Sequence, residues 1–187
     1  MRKSALLGVV FMLFGCGGTD LKIYDGTEPK ISFRKLYDSN VEGYGYFKNR
    51  SGEIEARYYV TLEPKWDGSI GAMKEFNYQD TGKITNRDWK ITMIDDDHFT
   101  ATGNDIQGVL KGETHGAVMH MNYTFLVTRE SGSKIAIDMD DWTYLQPDGM
   151  AINQVYMSKF GFRVGELVYT LKKLHKGEKF KSGYLVK

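Results

Sequence analysis

Between residues 40 and 174 the chain alternates apolar and polar positions with a period of two. In 53–62, Ile54, Ala56, Tyr58, Val60 and Leu62 share one face, while Glu53, Glu55, Arg57, Tyr59 and Thr61 share the other. In 117–127, Ala117, Met119, Met121, Tyr123, Phe125 and Val127 form an unbroken apolar row. In 134–145, Ile135, Ile137 and Met139 alternate with Ala136, Asp138 and Asp140. Successive side chains of a strand point to opposite faces, so this pattern predicts antiparallel strands with two unlike sides.

Turn signals recur about every ten residues. They are Asn49-Arg50-Ser51-Gly52, Trp66-Asp67-Gly68, Asp80-Thr81-Gly82, Asp95-Asp96-Asp97, Lys111-Gly112, Ser131-Gly132-Ser133 and Pro147-Asp148-Gly149. Gly and Asp supply the turn conformations that other residues resist. The pattern predicts about ten strands: 41–48, 53–63, 69–78, 83–94, 98–104, 106–111, 115–128, 134–145, 150–159 and 163–174. Short turns make sequence neighbours spatial neighbours. A meander of this length leaves two long edges unless it closes. The expected fold is therefore all-β, an antiparallel up-and-down barrel of eight to ten strands, lipocalin-like, with room for one small ligand. An open, strongly curved sheet or a two-sheet sandwich is the alternative. Residues 31–38 read as a helical turn or a plug over one barrel end. Glycines within strands, such as Gly71, Gly103, Gly108, Gly116 and Gly165, read as bulges or corners.

Composition supports this reading. The chain has 21 Gly and 12 Tyr against three Pro. Its length fits one domain. No internal repeat, linker or low-complexity segment divides it.

The N-terminus has a different character. Arg2 and Lys3 precede a ten-residue apolar stretch from Ala5 to Phe14. That is too short for a span, which needs about 20 residues, and it fits a cleaved signal peptide. Leu13-Phe14-Gly15-Cys16 resembles the lipobox of bacterial lipoproteins, with Phe14 bulkier than usual. The resemblance implies that Cys16, the only cysteine, is diacylated and becomes the mature N-terminus. The expected organisation is a signal peptide at 1–15, a lipidated tether at 16–23, the barrel at 24–174 and a C-terminal tail at 175–187. One acyl chain holds only marginally, at about 0.8 kcal/mol per buried CH₂, whereas two or three hold firmly. Gly17 stands where an aspartate would favour inner-membrane retention. The expected location is the bacterial envelope, lipid-anchored, on the outer membrane facing the periplasm.

Loss of Arg2 and Lys3 takes the formal charge from +1 to −1. A near-neutral chain without a basic run argues against nucleic acid as a partner. The expected partners are the membrane, through the acyl chains, and a hydrophobic small molecule. A monomer is expected, and no cofactor. The lysines at 172, 173, 176, 179 and 181 read as a solvated end.

Several segments together resemble the DUF3833 lipoproteins. They are Tyr24-Asp25-Gly26-Thr27-Glu28-Pro29, Glu42-Gly43-Tyr44-Gly45 with Arg50-Ser51-Gly52, Trp66-Asp67-Gly68, Asp140-Asp141-Trp142, and the run from Met157-Ser158-Lys159-Phe160-Gly161-Phe162 to Arg163-Val164-Gly165-Glu166. The likeness spans about 24 to 172. It implies an envelope-anchored, lipocalin-like β domain of unknown function. Members are often encoded beside enzymes that modify fatty acyl chains, which hints at lipid. It carries over no catalytic residue.

The candidate chemistry is sparse. His98, His115, His120 and His175 are the only histidines. Placed on one strand, His115 and His120 point to opposite faces, so zinc, which needs three or four converging ligands, is not expected. Asp95-Asp96-Asp97 reads as a solvated turn without calcium-loop spacing. No Gly-x-Ser-x-Gly elbow or dinucleotide loop is present. The acids of 134–145 stand out. Asp138 and Asp140 share a face with Trp142 and Tyr144, whereas Asp141 points the other way with Met139. One set faces the interior, where a carboxylate needs a cation or several donors. Lys159 and Arg163 are the natural partners. The candidate ligand-binding set is Asp138, Asp140, Asp141, Trp142, Tyr144, Asn153, Lys159 and Arg163. It forms a salt-bridge network closing the barrel, a clamp for a ligand head group, or a proton-transfer pair. Met119, Met121, Tyr123 and Phe125 either line a cavity or pack a core.

Three functions fit this chain. The first is a carrier holding an amphipathic molecule. The second is a structural or assembly partner of other envelope proteins. The third is a lipid-modifying enzyme that uses a barrel carboxylate.

Overall fold

The computed structural model describes residues 19–129 and 131–181. The signal segment 1–15 and Cys16 lie outside them. Ten strands run in chain order: β1 (Val41–Asn49), β2 (Ile54–Asp67), β3 (Ile70–Gln79), β4 (Ile84–Met93), β5 (His98–Gly103), β6 (Ile106–His115), β7 (Val118–Thr128), β8 (Lys134–Leu145), β9 (Ala151–Lys159) and β10 (Phe162–Lys173). Each pairs antiparallel with the next, and β10 returns to β1 with Val41 opposite Lys173 and Asn49 opposite Gly165. The sheet is a closed up-and-down barrel, not an open sheet or sandwich.

The observed strands differ from the expected ones chiefly at β6 and β7. Lys111-Gly112 is not a turn. It lies within β6, where Gly112 pairs with Phe99 of β5 and leaves room for that buried ring. The turn falls at Gly116 (φ 50°), so His115 ends β6 and His120 lies on β7. The two histidines are therefore not on one strand. Gly108 (φ 77°) sits where the β6–β7 register shifts between Gln107 and Lys111, a bulge of the kind that bends a strand.

One barrel end is stoppered from within. Ser32 caps a single helical turn, α1 (Phe33–Leu36), its side chain accepting from the Lys35 backbone N–H at 3.4 Å. Phe33 and Leu36 are buried, and the Phe33 ring lies 4.1 Å from that of Phe99. Trp66 Nε1 donates to the Tyr37 carbonyl at 2.7 Å, fastening the turn to β2. Residues 31–38 are thus both a helical turn and a plug.

Both ends of the described chain lie back on the wall. A 3-10 turn (Leu21–Tyr24), capped by Asp20, begins in the segment expected as tether and ends on the first residue expected in the barrel. Tyr24 meets Trp142 edge-on at 6.3 Å, and the Ala117 backbone N–H donates to Thr27 Oγ1 at 2.9 Å. At the other end, the Lys181 backbone N–H donates to Glu42 Oε2 at 3.2 Å and Tyr59 Oη at 3.1 Å. This return accounts for the burial of Glu42 and Tyr59 on the outer face. Lysines of the expected solvated end also take part in local ties: Lys172 pairs with Glu178 and Lys173 with Asp38.

Candidate functional site

The barrel encloses a cavity of about 220 Å³. Its plug-side wall is apolar and buried, formed by Phe33, Leu62, Met73, Phe99 and Leu110. At the opposite end the lining includes Thr85, which is exposed, so the cavity has its mouth there. Met121, Tyr123 and Phe125 line the cavity, whereas Met119 is wholly buried in the core beside it. The apolar row of β7 therefore serves both roles.

A belt of polar groups crosses this apolar interior. Glu75 and Arg87 are direct cross-strand partners on β3 and β4. Arg87 Nη1 lies 3.4 Å from each Glu75 oxygen, and its Nε donates to Asp105 Oδ1. The guanidinium lies 4.7 Å from the Phe125 ring and 5.0 Å from that of Trp89. Glu75 also accepts from Trp89 Nε1 and Asn77 Nδ2, each at 2.7 Å. Tyr169 Oη donates to Asn77 Oδ1 at 3.2 Å, extending the network to β10.

Asp141 forms a second centre. It is 6% exposed, on the plug-side half of β8. Asn153 Nδ2 donates to its Oδ1 at 2.6 Å, and Tyr123 Oη donates to its Oδ2 at 3.2 Å. Burial pushes the carboxyl up to about 7, against these two hydrogen bonds, which favour the charged form. Tyr123 is itself raised well above the ordinary phenol range, first by burial and then by Asp141. A carboxyl that gains or loses its proton near neutrality inside an apolar chamber can hold a polar group or move a proton.

The structure divides the candidate set. Asp141 and Asn153 meet inside the barrel. Asp138, Asp140, Trp142 and Tyr144 alternate with Met139 and Asp141 and belong to the outer face. Asp138 is exposed and accepts from Thr124 Oγ1 at 3.2 Å. Asp140 Oδ1 accepts from Trp142 Nε1 at 2.9 Å and lies 2.7 Å from His120 Nε2. Trp142, buried although outward, is sandwiched among His120 (4.1 Å), Tyr144 (6.3 Å) and Tyr24. Lys159 and Arg163 do not partner the buried acid. Lys159 Nζ reaches the Ala136 carbonyl at 3.4 Å and the Phe160 ring at 4.9 Å. Arg163 pairs with Glu166 and stacks 4.2 Å from the Tyr156 ring. Both flank the β9–β10 hairpin at the mouth end, too far along the barrel from Asp141.

Glu75, Arg87, Asn77 and Tyr169 escaped the sequence reading. Their signal was available: Met73, Glu75 and Asn77, like Arg87, Trp89 and Ile91, share a face at period two. Among the described residues, no group of three or more His, Cys, Asp or Glu is placed to hold a metal ion, and no helix is long and apolar enough to cross a membrane.

The family described as "Protein of unknown function (DUF3833)" matches residues 10–173, and the chain belongs to that family. No curated protein matches it.

Proposed function

We propose that this DUF3833 chain is a lipid-anchored lipoprotein of the bacterial envelope, on the outer membrane facing the periplasm, that binds an amphipathic small molecule in its barrel. The observation that carries the reading is the cavity of about 220 Å³, apolar at its closed end and crossed by a polar belt. An apolar cavity of about 150 Å³ accepts benzene, with six carbons. By that scale this one takes roughly nine non-hydrogen atoms, the size of an eight-carbon chain with a small head group. Longer chains would extend through the mouth. The anchor rests on the signal ending in Cys16.

Titration with 1-octanol, read by the fluorescence of the cavity's Trp89, tests the carrier. Saturable binding of one molecule per chain is expected, weakened by Met121→Trp, whose larger side chain takes up part of the chamber. No binding of 1-octanol, octylamine or octanoate would remove the reading. Radiolabelled palmitate should enter the protein in cells and fail to enter Cys16→Ser.

A second reading, a structural partner of other envelope proteins, draws on the hairpin tip, where Phe160 and Phe162 are 85% and 77% exposed. Photocrosslinking from position 160 in cells would capture a discrete protein partner under that reading.

A further inference from the structure

The carboxylates of the cavity wall are not equivalent. Glu75 and Asp141 are the two that line it, and Arg87 is the one cation, among the described residues. Arg87 is already shared between Glu75 and Asp105. Glu75 receives Trp89, Asn77 and both contacts from Arg87, so its oxygens are fully used. A carboxylate offers about four acceptor positions. Among the described residues, Asp141 receives Asn153 and Tyr123 alone, and no cation forms an ion pair with it. It keeps acceptor capacity toward the cavity, in a lining that carries two acids against one base.

An anionic head group would meet this surplus of negative charge, with the guanidinium occupied by its own acids. A free carboxylate is therefore the wrong ligand for this interior, despite the suitability of the apolar walls for an acyl chain. We infer that the cavity selects amphiphiles whose polar end is a cation, a primary ammonium held by Asp141, with an apolar tail against Met121, Met139, Val155 and Leu167. This inference rests on the binding reading above and specifies its ligand class.

The pH dependence of binding follows. An ammonium needs the ionised carboxylate, whereas the empty site holds Asp141 near its proton-binding midpoint of about 7. The groups facing Asp141 are Tyr123 from β7, Tyr169 from β10, Tyr37 from the plug, Glu75 from β3 and Arg87 from β4. Burial holds the three tyrosines above their ordinary range, and Arg87 stays charged. An alkylammonium, like the Lys side chain at about 10.4, keeps its charge across this interval.

The test compares octylamine, 1-octanol and octanoate on the purified chain at about pH 8 and about pH 6. Octylamine should bind tightest at the higher pH and weaken about ten-fold at the lower, as the ionised fraction of Asp141 falls from about 0.9 to about 0.1. Binding of 1-octanol should be nearly unchanged, and octanoate should be weakest at the higher pH. Asp141→Asn should erase the amine preference and its pH slope, with an unaltered circular dichroism spectrum and cooperative unfolding showing that the variant is folded. The comparison on the unaltered chain stands without the variant. Octanoate binding as tightly as octylamine at the higher pH, or an amine preference that survives Asp141→Asn, overturns the inference and leaves the carrier standing. Failure of all three probes overturns both.

Discussion

Asp141→Asn should make the empty protein more stable at neutral pH, by an amount that depends on pH. In the folded state the Asp141 carboxyl is raised from 3.8 to about 7, chiefly by burial. Between those values the native chain binds a proton that the unfolded chain has released. The group's contribution is therefore fully present below about pH 4, is lost as pH rises toward 7, and is constant above. At about 1.4 kcal/mol per pH unit the full loss is about 4 kcal/mol, with about 2 kcal/mol gone by pH 5. Asparagine has nearly the same shape and no charge. It keeps an oxygen for the Asn153 amide, and its own amide can donate to the Tyr123 hydroxyl. Rearranging one buried hydrogen bond costs about 1 kcal/mol, leaving a net gain of about 3 kcal/mol at pH 8. For a domain of this size that raises Tm by roughly 6–12 °C. Urea unfolding of both proteins from about pH 4 to pH 8 provides the assay. The quantity to plot is the difference in unfolding free energy, because other acids titrate in both chains; Asp95, Asp97 and Glu178 are held below their ordinary range and destabilise the fold as they are protonated. A difference that stays flat across this interval, or a variant less stable at pH 8, would refute the reasoning.

Three further outcomes follow from local geometry. Phe160 opens the β9–β10 turn at φ 52° with Gly161 at φ 78°, a pair of conformations favoured by Asn-Gly and costly for a bulky residue. Phe160→Asn should therefore raise stability by about 1 kcal/mol and Tm by roughly 2–4 °C, measured by calorimetry. Gly112→Ala would drive a methyl into the buried Phe99 ring and should cost about 1–3 kcal/mol in urea unfolding, with no change in strand content by circular dichroism. His115 Nδ1 lies 2.7 Å from Asp25 Oδ1, and that hydrogen bond is the main cause raising the imidazole above 6.5. NMR titration should show His115 binding its proton above that value and returning toward it in Asp25→Asn; an unchanged midpoint would separate the two residues.

Alternation made the barrel legible, because a meander with one apolar face has few ways to bury it. It misled only where two glycines changed roles. The row Ala117, Met119, Met121 ran back through Gly116 and hid the turn there, while Gly112 imitated a turn although its purpose is clearance for Phe99. The acids of β8 were sorted correctly into two faces, but which face was internal depended on Tyr24, whose ring covers Trp142 from outside and lets that large aromatic be buried without entering the barrel. The assignment of Lys159 and Arg163 to the buried acid followed sequence proximity, whereas the acid's partners come from β7 and β9 at the same height. Glu75 and Arg87 were recoverable in principle. Counting outward from Gln79 and Lys83, which close the β3–β4 turn, places these two residues opposite each other.

The junction of β1 with β10 sets the order of assembly. Every other pair of neighbouring strands can zip from its own hairpin, but this one joins residues as distant as Val41 and Lys173. Such a ladder forms only after the intervening chain has been organised, and topologies ruled by distant pairings fold on the millisecond-to-second scale. Until that final zipper engages, α1 has no complete rim to seat in and the chamber has no defined volume. Formation of a competent site is thus a late event, and substitutions along this seam should slow its appearance more than changes at any hairpin.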